Sequence, residues 1–314
     1  MHESSSGPLV IALVGPTATG KSDLALDLAE VLGAEIVNAD ASQLYRGMDI
    51  GTAKLPVGER RGIPHHQLDV LGVTEEASVA AYQASARADL AAVAGRGRHA
   101  LLVGGSGLYV RAVLDHLEIP PTDLGVRRRL EEEAAGLGTE AMLQRLRQLD
   151  PAAAAAIEAN NARRIVRALE VIELTGRPFS ATMPSREYVR PTVAIGLELP
   201  RPVLDARIDA RVRRMWSQGL LDEVRALEQV GLRRGRTASR AIGYAQALGQ
   251  IDGDLTEAEA LVQTATLTRR LARRQESWFR PDPRITWLDP REPDTLGRAV
   301  ALARQAIGDN DRHG

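Results

Sequence analysis

The chain has 314 residues, 44% hydrophobic and 26% charged, with a net charge of −1, the make-up of an ordinary globular protein of one large or two modest domains. It has no cysteine, which excludes disulfides, zinc ribbons and thiol nucleophiles. No apolar run reaches the length of a membrane span and the first residues are polar, so no membrane partner and a cytoplasmic location are expected.

Residues 9–14 form a short β-rich run that ends in Gly15-Pro16-Thr17-Ala18-Thr19-Gly20-Lys21-Ser22, and residues 23–32 carry apolar side chains at helical spacing. Strand, glycine loop and helix in that order are the setting of a G-x-x-x-x-G-K-[ST] phosphate loop. Its backbone N–H groups cradle phosphate oxygens, Lys21 adds a point charge, and the Ser22 hydroxyl can ligate Mg2+. Lys21 is one of only two lysines among 40 basic residues, so a site that keeps lysine where arginine rules elsewhere is one where a compact ammonium matters. What carries the phosphates is left open: a nucleotide such as ATP and a prenyl diphosphate both fit. A second strand-like run, 35–39, delivers Asp40 to a strand's carboxyl end, where ligands gather in open α/β sheets. Asp40 can serve there as a general base or hold a magnesium-bound water; as a plain helix cap it would do neither. Residues 47–54 place the second lysine, Lys54, between small residues, which reads as a structural loop. His65 and His66 are adjacent and point apart, so they read as structural rather than as metal ligands. The run 99–103 leads into Gly104-Gly105-Ser106-Gly107, a second turn suited to anions.

From about 121 to 190 the strand–helix alternation stops. Helical spacing covers 123–136, 140–149, 152–159 and 161–174, bracketed by Pro120-Pro121 and by the prolines from 178 to 191. Strand patterns return at 193–199 and 285–288. The expected fold is α/β, a parallel-sheet core of the phosphate-loop type flanked by helices, with an inserted all-helical domain. The core would comprise 1–120 and 191–314, and the insert 121–190. Charge is uneven: residues 1–120 carry 9 basic and 14 acidic side chains, residues 201–280 carry 15 and 10. Arginines recur in three helical stripes, on 161–174 (Arg163, Arg164, Arg167), on 205–216 (Arg207, Arg211, Arg214) and on 264–280 (Arg269, Arg270, Arg273, Arg274). Three such stripes in a chain that binds a phosphate chain point to an RNA-sized polyanion. Only five tyrosines, two phenylalanines and three tryptophans are available for stacking, against a general single-strand binder.

In order, Gly15–Ser22, the run Asp40-x-x-Gln43-x-Tyr45-Arg46-Gly47-Met48-Asp49-Ile50-Gly51-Thr52-Ala53-Lys54, and the segments 64–69, 101–109, 163–170, 239–244 and 268–280 resemble the bacterial transfer-RNA dimethylallyltransferases (isopentenyl transferases). The likeness runs from residue 9 to about 289. It implies transfer of a dimethylallyl group from dimethylallyl diphosphate to the exocyclic N6 of adenosine-37, directly 3′ of the anticodon, with release of diphosphate. In that family's terms Gly15, Pro16, Thr17, Ala18, Thr19, Gly20, Lys21 and Ser22 hold the diphosphate. Asp40 takes the N6 proton, Arg211 or Arg207 contacts the diphosphate, and Ser106 lies by the reaction channel. The resemblance further implies that the tRNA anticodon stem-loop meets Asp40, Ala41, Ser42, Gln43 and Ser106, then Arg127, Arg163, Arg164, Ile165, Val166 and Arg167, and finally Arg240, Ala241, Ile242, Gly243, Tyr244 and Ala245. Mg2+ is the implied cofactor, held by Ser22 and, through water, by Asp40; a monomer is expected. The family usually has serine directly after the catalytic aspartate, where this chain has Ala41, and the zinc finger of eukaryotic relatives has no cysteines here to build it. Rival readings are an adenylate prenyltransferase acting on mononucleotides, a phosphate-loop small-molecule kinase, and a non-catalytic RNA-binding module with a nucleotide switch.

Overall fold

The computed structural model describes residues 8–182 and 186–313. Two compact units result, one drawn from the stretches up to Leu114 and from Tyr188 onward, the other Asp115–Glu187.

The first unit is built on six parallel strands, β1 (Val10–Val14), β2 (Glu35–Asn38), β3 (His65–His66), β4 (Ala100–Gly104), β5 (Thr192–Leu197) and β6 (Ile285–Leu288), in the order β3-β2-β4-β1-β5-β6. Along β1 the pleat sends Val10, Ala12 and Val14 to one face and Ile11 and Leu13 to the other. The first set packs with α2 (Val79–Gly95) and α3 (Gly107–Leu114) through Tyr82, Leu90, Val110 and Val113. The second packs with α1 (Lys21–Leu32) and α12 (Thr295–His313) through Leu24, Leu28, Ala299 and Ala303. Covered on both faces, β1 is apolar throughout instead of alternating. Strand β3 has too few residues for any hydrophobic period to show. His66 there sets its Nε2 2.7 Å from a buried Glu35 carboxylate oxygen.

Between β5 and β6 lie α8 (Arg201–Ser217), α9 (Leu220–Gln229), α10 (Tyr244–Ile251) and α11 (Glu257–Phe279). Helix α8 buries Leu204, Ile208, Val212 and Met215. Trp216 packs partly buried against Leu204, Ile208 and Val212 and donates its indole N–H to Gln250 at 2.7 Å, while Met215 joins the cluster of Leu220 and Tyr244.

The second unit is four helices, α4 (Leu124–Leu137), α5 (Thr139–Leu149), α6 (Pro151–Ala156) and α7 (Ala162–Thr175), around Leu130, Met142, Leu146, Ile165 and Leu169. Asp123, Asp150 and Asn161 cap α4, α6 and α7 with their side chains, each saving an otherwise orphaned N–H. Helix α6 ends with its alanine run at Ala156, short of the expected 159, because Ile157 turns extended and buries its side chain. Among the described residues no helix is long and apolar enough to cross a membrane.

Candidate active site

The site lies at the carboxyl ends of β1, β2 and β4. After β1 the chain turns sharply at Gly15, whose φ is 136°, and a Cβ there would run into the Leu197 carbonyl of neighbouring β5. Only glycine lets the loop cross the sheet edge so closely. Thr19 Oγ donates to the Pro16 carbonyl at 2.9 Å, and Thr17 N–H donates to the Gln275 side chain on α11 at 2.8 Å. The loop then opens α1 at Lys21 through left-handed Gly20, and α1 has no side-chain cap on its first N–H groups. They are left for an anion.

Lys21 Nζ donates to the Pro16 carbonyl at 2.6 Å. Burial, in spite of attraction from Asp40 and together with repulsion from Arg211, pulls its pKa down to about 7. Those two neighbours are the other charged members of the site. Arg211 of α8 donates to Thr17 Oγ at 3.0 Å and to the Thr52 carbonyl at 3.1 Å. Its Nε is buried and has no partner. Burial again lowers its pKa, with Asp40 opposing. A buried guanidinium edge without an acceptor costs more than a neutral donor in the same position, so it marks where an anionic oxygen fits. Arg207, one turn earlier, is exposed and reaches over Gly20.

Asp40 is fixed through both its side chain and its backbone. Its Oδ1 accepts the Ser42 N–H at 2.9 Å, capping a short 3-10 turn (Ala41–Leu44), and its own N–H donates to Asn38 at 3.0 Å. Asn38 is held in turn by donating to the Gln67 carbonyl at 2.9 Å and accepting from Tyr82 OH at 2.7 Å. Ser106 Oγ accepts the Ala41 N–H at 3.3 Å, tying the β4 turn to the β2 turn. Asp40 is therefore a cap and a site residue at once: one oxygen holds the turn, and the carboxylate still acts electrostatically on Lys21 and Arg211.

The remaining residues named from the sequence divide by what they touch. Gln43 spends its amide on the Thr52 carbonyl at 3.1 Å, while Ala41 and Ser42 stay partly exposed. Lys54 is buried and donates to the Tyr45 carbonyl at 2.8 Å, to Asp49 at 2.7 Å and to Asp69 at 2.6 Å, a structural tie. Tyr244 is fully buried, Gly243 and Ala245 sit beside it at the start of α10, and Arg240 is exposed. Ala241 packs partly buried against the same cluster, and Ile242 is also partly buried. In the helical unit Ile165 and Val166 belong to the core, so RNA could meet only their backbone. Arg163 and Arg164 are exposed. Arg127 and Arg167 both bind the fully buried Glu170 carboxylate, and Arg167 also donates to the Pro120 and Pro121 carbonyls at 2.8 and 2.9 Å. Gln275, Asn38 and Glu170 carry no signal in the sequence: each is a single polar residue in a helix or strand, with no local spacing to mark it.

No group of three or more His, Cys, Asp or Glu able to hold a metal occurs among the described residues. A phosphate loop on a parallel sheet, with an arginine edge left open beside it and a fixed carboxylate within electrostatic reach, defines a phosphate-chain-binding protein that can also accept a proton. The IPP transferase family matches residues 43–282. A tRNA dimethylallyltransferase of Kineococcus radiotolerans is 61% identical over 300 residues, 93% of this chain and 95% of that one. The corresponding protein of Thermobifida fusca is 60% identical over 298 residues, 93% of each. Among solved structures, a full-length tRNA isopentenylpyrophosphate transferase of Bacillus halodurans superposes with a TM-score of 0.72 at 38% identity, covering 98% of both chains. A eukaryotic dimethylallyltransferase acting on tRNA gives 0.82 at 25%, covering 96% of this chain and 80% of its own. The chain belongs to the tRNA dimethylallyltransferase family.

Proposed function

We propose that this chain transfers a dimethylallyl group from dimethylallyl diphosphate to N6 of the adenosine 3′ of the anticodon in tRNA. The observation that carries the reading is the convergence of Lys21, Arg211 and Asp40 on one phosphate loop. As the allylic C–O bond breaks, the electron pair leaves with the diphosphate. Lys21, the open Nε edge of Arg211 and the first N–H groups of α1 meet the charge that develops there. As the N6–carbon bond forms, the N6 proton passes to Asp40, whose Oδ1 stays on Ser42 while its other oxygen takes the proton. Arg211 rather than Arg207 is the diphosphate contact this reading favours, since Arg211 has a buried Nε that lacks an acceptor, whereas Arg207 is exposed.

Mg2+ fits this site as a partner of the substrate. The Ser22 hydroxyl is exposed on the first turn of α1, and Asp40 offers one carboxylate. With no cage of metal-ligating side chains among the described residues, diphosphate oxygens and water would supply its remaining ligands. When bound, it would add positive charge to the leaving diphosphate.

For tRNA, the exposed Arg163 and Arg164 of the helical unit and Arg240 and Arg270 of the sheet unit supply phosphate-facing charge. Arg127 and Arg167 would shape that surface through Glu170. The test is mass-spectrometric nucleoside analysis of unmodified tRNA incubated with the protein, Mg2+ and dimethylallyl diphosphate, with AMP as a competing acceptor. N6-prenylated adenosine in RNA alone is the expected result. Prenylated AMP would move the chain to the mononucleotide enzymes, and no prenylation of either would refute the reading.

A further inference from the structure

Glu223, on α9, makes no contact with the phosphate loop, yet its carboxylate organises the turn that holds Arg211. Its Oε2 accepts the N–H of Asp49 at 3.2 Å and of Ile50 at 2.8 Å, and its Oε1 accepts the N–H of Gly51 at 3.4 Å. Tyr244 of α10 donates its hydroxyl to the same Oε1 at 2.6 Å. Three consecutive backbone N–H groups thus converge on one carboxylate, the arrangement in which backbone concavities bind anions. The anion here comes from the protein itself.

The turn has no freedom to rearrange around that carboxylate. A Cβ on Gly51 would enter the Tyr244 ring, so ring and glycine fit face to face. Behind the turn, Thr52 Oγ donates to the Met48 carbonyl at 2.6 Å. What emerges is a fixed Thr52 carbonyl, and it accepts from both Gln43 at 3.1 Å and Arg211 at 3.1 Å. Arg211 has a second hold on Thr17 of the phosphate loop. With two of its nitrogens committed, the direction of its open Nε is set by Thr17 Oγ and the Thr52 carbonyl together, and that carbonyl belongs to the turn that Glu223 binds.

We infer that Glu223 is a positioning residue for prenyl transfer, aiming Arg211 at the diphosphate through the Asp49–Thr52 turn. This rests on the role proposed above for Arg211. Glu223→Gln keeps size but replaces one acceptor oxygen with an amide whose N–H groups confront the backbone donors. Tyr244→Phe keeps the ring on Gly51 and removes one hydrogen bond to Glu223, so it gives a milder form of the same perturbation.

The experiment measures steady-state prenylation of tRNA for wild type, Glu223→Gln, Tyr244→Phe, Arg211→Lys and the double variant Glu223→Gln/Arg211→Lys, with tRNA affinity measured separately without prenyl diphosphate. The expected result is a fall of about tenfold in kcat/KM for dimethylallyl diphosphate in Glu223→Gln, as for loss of an aligned charged donor. Tyr244→Phe should fall in the same direction by less, with tRNA affinity unchanged in both. In the Arg211→Lys background Glu223→Gln should add less than about twofold, since residues acting as a unit are non-additive. Full multiplication of the two effects, or a Glu223→Gln defect confined to tRNA affinity, would overturn the inference. Arg211→Lys with unchanged kcat/KM for dimethylallyl diphosphate would instead overturn the Arg211 role on which it rests.

Discussion

Lys21 gives the site a pH dependence that can be worked from the structure. Its ammonium is pulled to a pKa of about 7 by burial, helped by Arg211 and resisted by Asp40. A diphosphate in the loop brings negative oxygens beside Nζ and favours the charged form, so binding takes up a proton whenever the free site is deprotonated. Below pH 7 the free lysine is already charged and binding is insensitive to its titration. Above pH 7 affinity falls, because part of the binding energy goes to reprotonation. For a pKa of about 7, the loss between pH 6 and pH 8 is about tenfold in Kd, or about 1.4 kcal/mol. Isothermal titration with inorganic diphosphate at fixed Mg2+, in buffers of different ionisation enthalpy, reads both the slope and the protons taken up. The ligand also titrates in this range, so Lys21→Gln supplies the reference slope. The expected result is a steeper rise in Kd for wild type than for Lys21→Gln, with extra uptake approaching one proton at pH 8. Equal slopes would refute the reasoning, since the lysine would then be charged throughout.

Asp40→Asn should lower kcat for prenyl transfer by about two orders of magnitude or more, the range for loss of a general base. Its Oδ1 can still cap Ser42, so tRNA affinity should hold within about twofold by filter binding. Arg167→Ala should lower the melting temperature of the helical unit, because Glu170 then keeps only Arg127 among its two guanidinium partners, and removing one partner of a buried pair costs up to about 3–5 kcal/mol. Arg163→Ala and Arg164→Ala should leave melting unchanged and each flatten the salt slope of tRNA binding by about one charge. Equal melting for all three variants would remove the distinction. Lys54→Arg should destabilise the sheet unit by about 1–3 kcal/mol, the range for forcing a larger side chain into a filled site, read as a lower denaturant midpoint; an unchanged midpoint would mean the site accepts the planar fork.

Much of the sheet was legible because parallel strands buried on both faces read as unbroken apolar runs, as β1 and β4 do, while β2, β5 and β6 show shorter apolar stretches at Ile36-Val37, Val193–Leu197 and Trp287-Leu288. Strand β3 escaped because two histidines carry no periodicity; its place beside β2 depends on backbone pairing of Ile36 with His65 and Val37 with His66. The proline brackets near 121 and 190 suggested an inserted helical segment, and the structure divides the chain after Leu114 and before Tyr188. At the site, Lys21 and Asp40 could be named because a loop motif and a strand end locate them. Arginine stripes were a blunter guide. Period alone cannot tell a guanidinium aimed at solvent, as in Arg163, from one folded back on a buried carboxylate, as in Arg167. The deciding residue, Glu170, lies three positions along the same helix and looks like any surface glutamate until its complete burial is seen.

The two lysines answer the question their rarity raises. Lys54 sits where three oxygens from the Tyr45 carbonyl, Asp49 and Asp69 approach one nitrogen within 2.8 Å. A tetrahedral ammonium satisfies such a site with its three protons, whereas a planar fork spreads its donors over several ångströms. Lys21 faces the complementary demand: one proton goes to the Pro16 carbonyl at 2.6 Å, and in the proposed reaction the other two would meet phosphate oxygens. Arg211, approaching the same loop from α8, serves the opposite geometry by bridging Thr17 and Thr52 with separate nitrogens, a span no ammonium could cover. The division of labour between the two cations is thus a matter of shape, and the two lysine positions are those where a cation must meet several acceptors at one point.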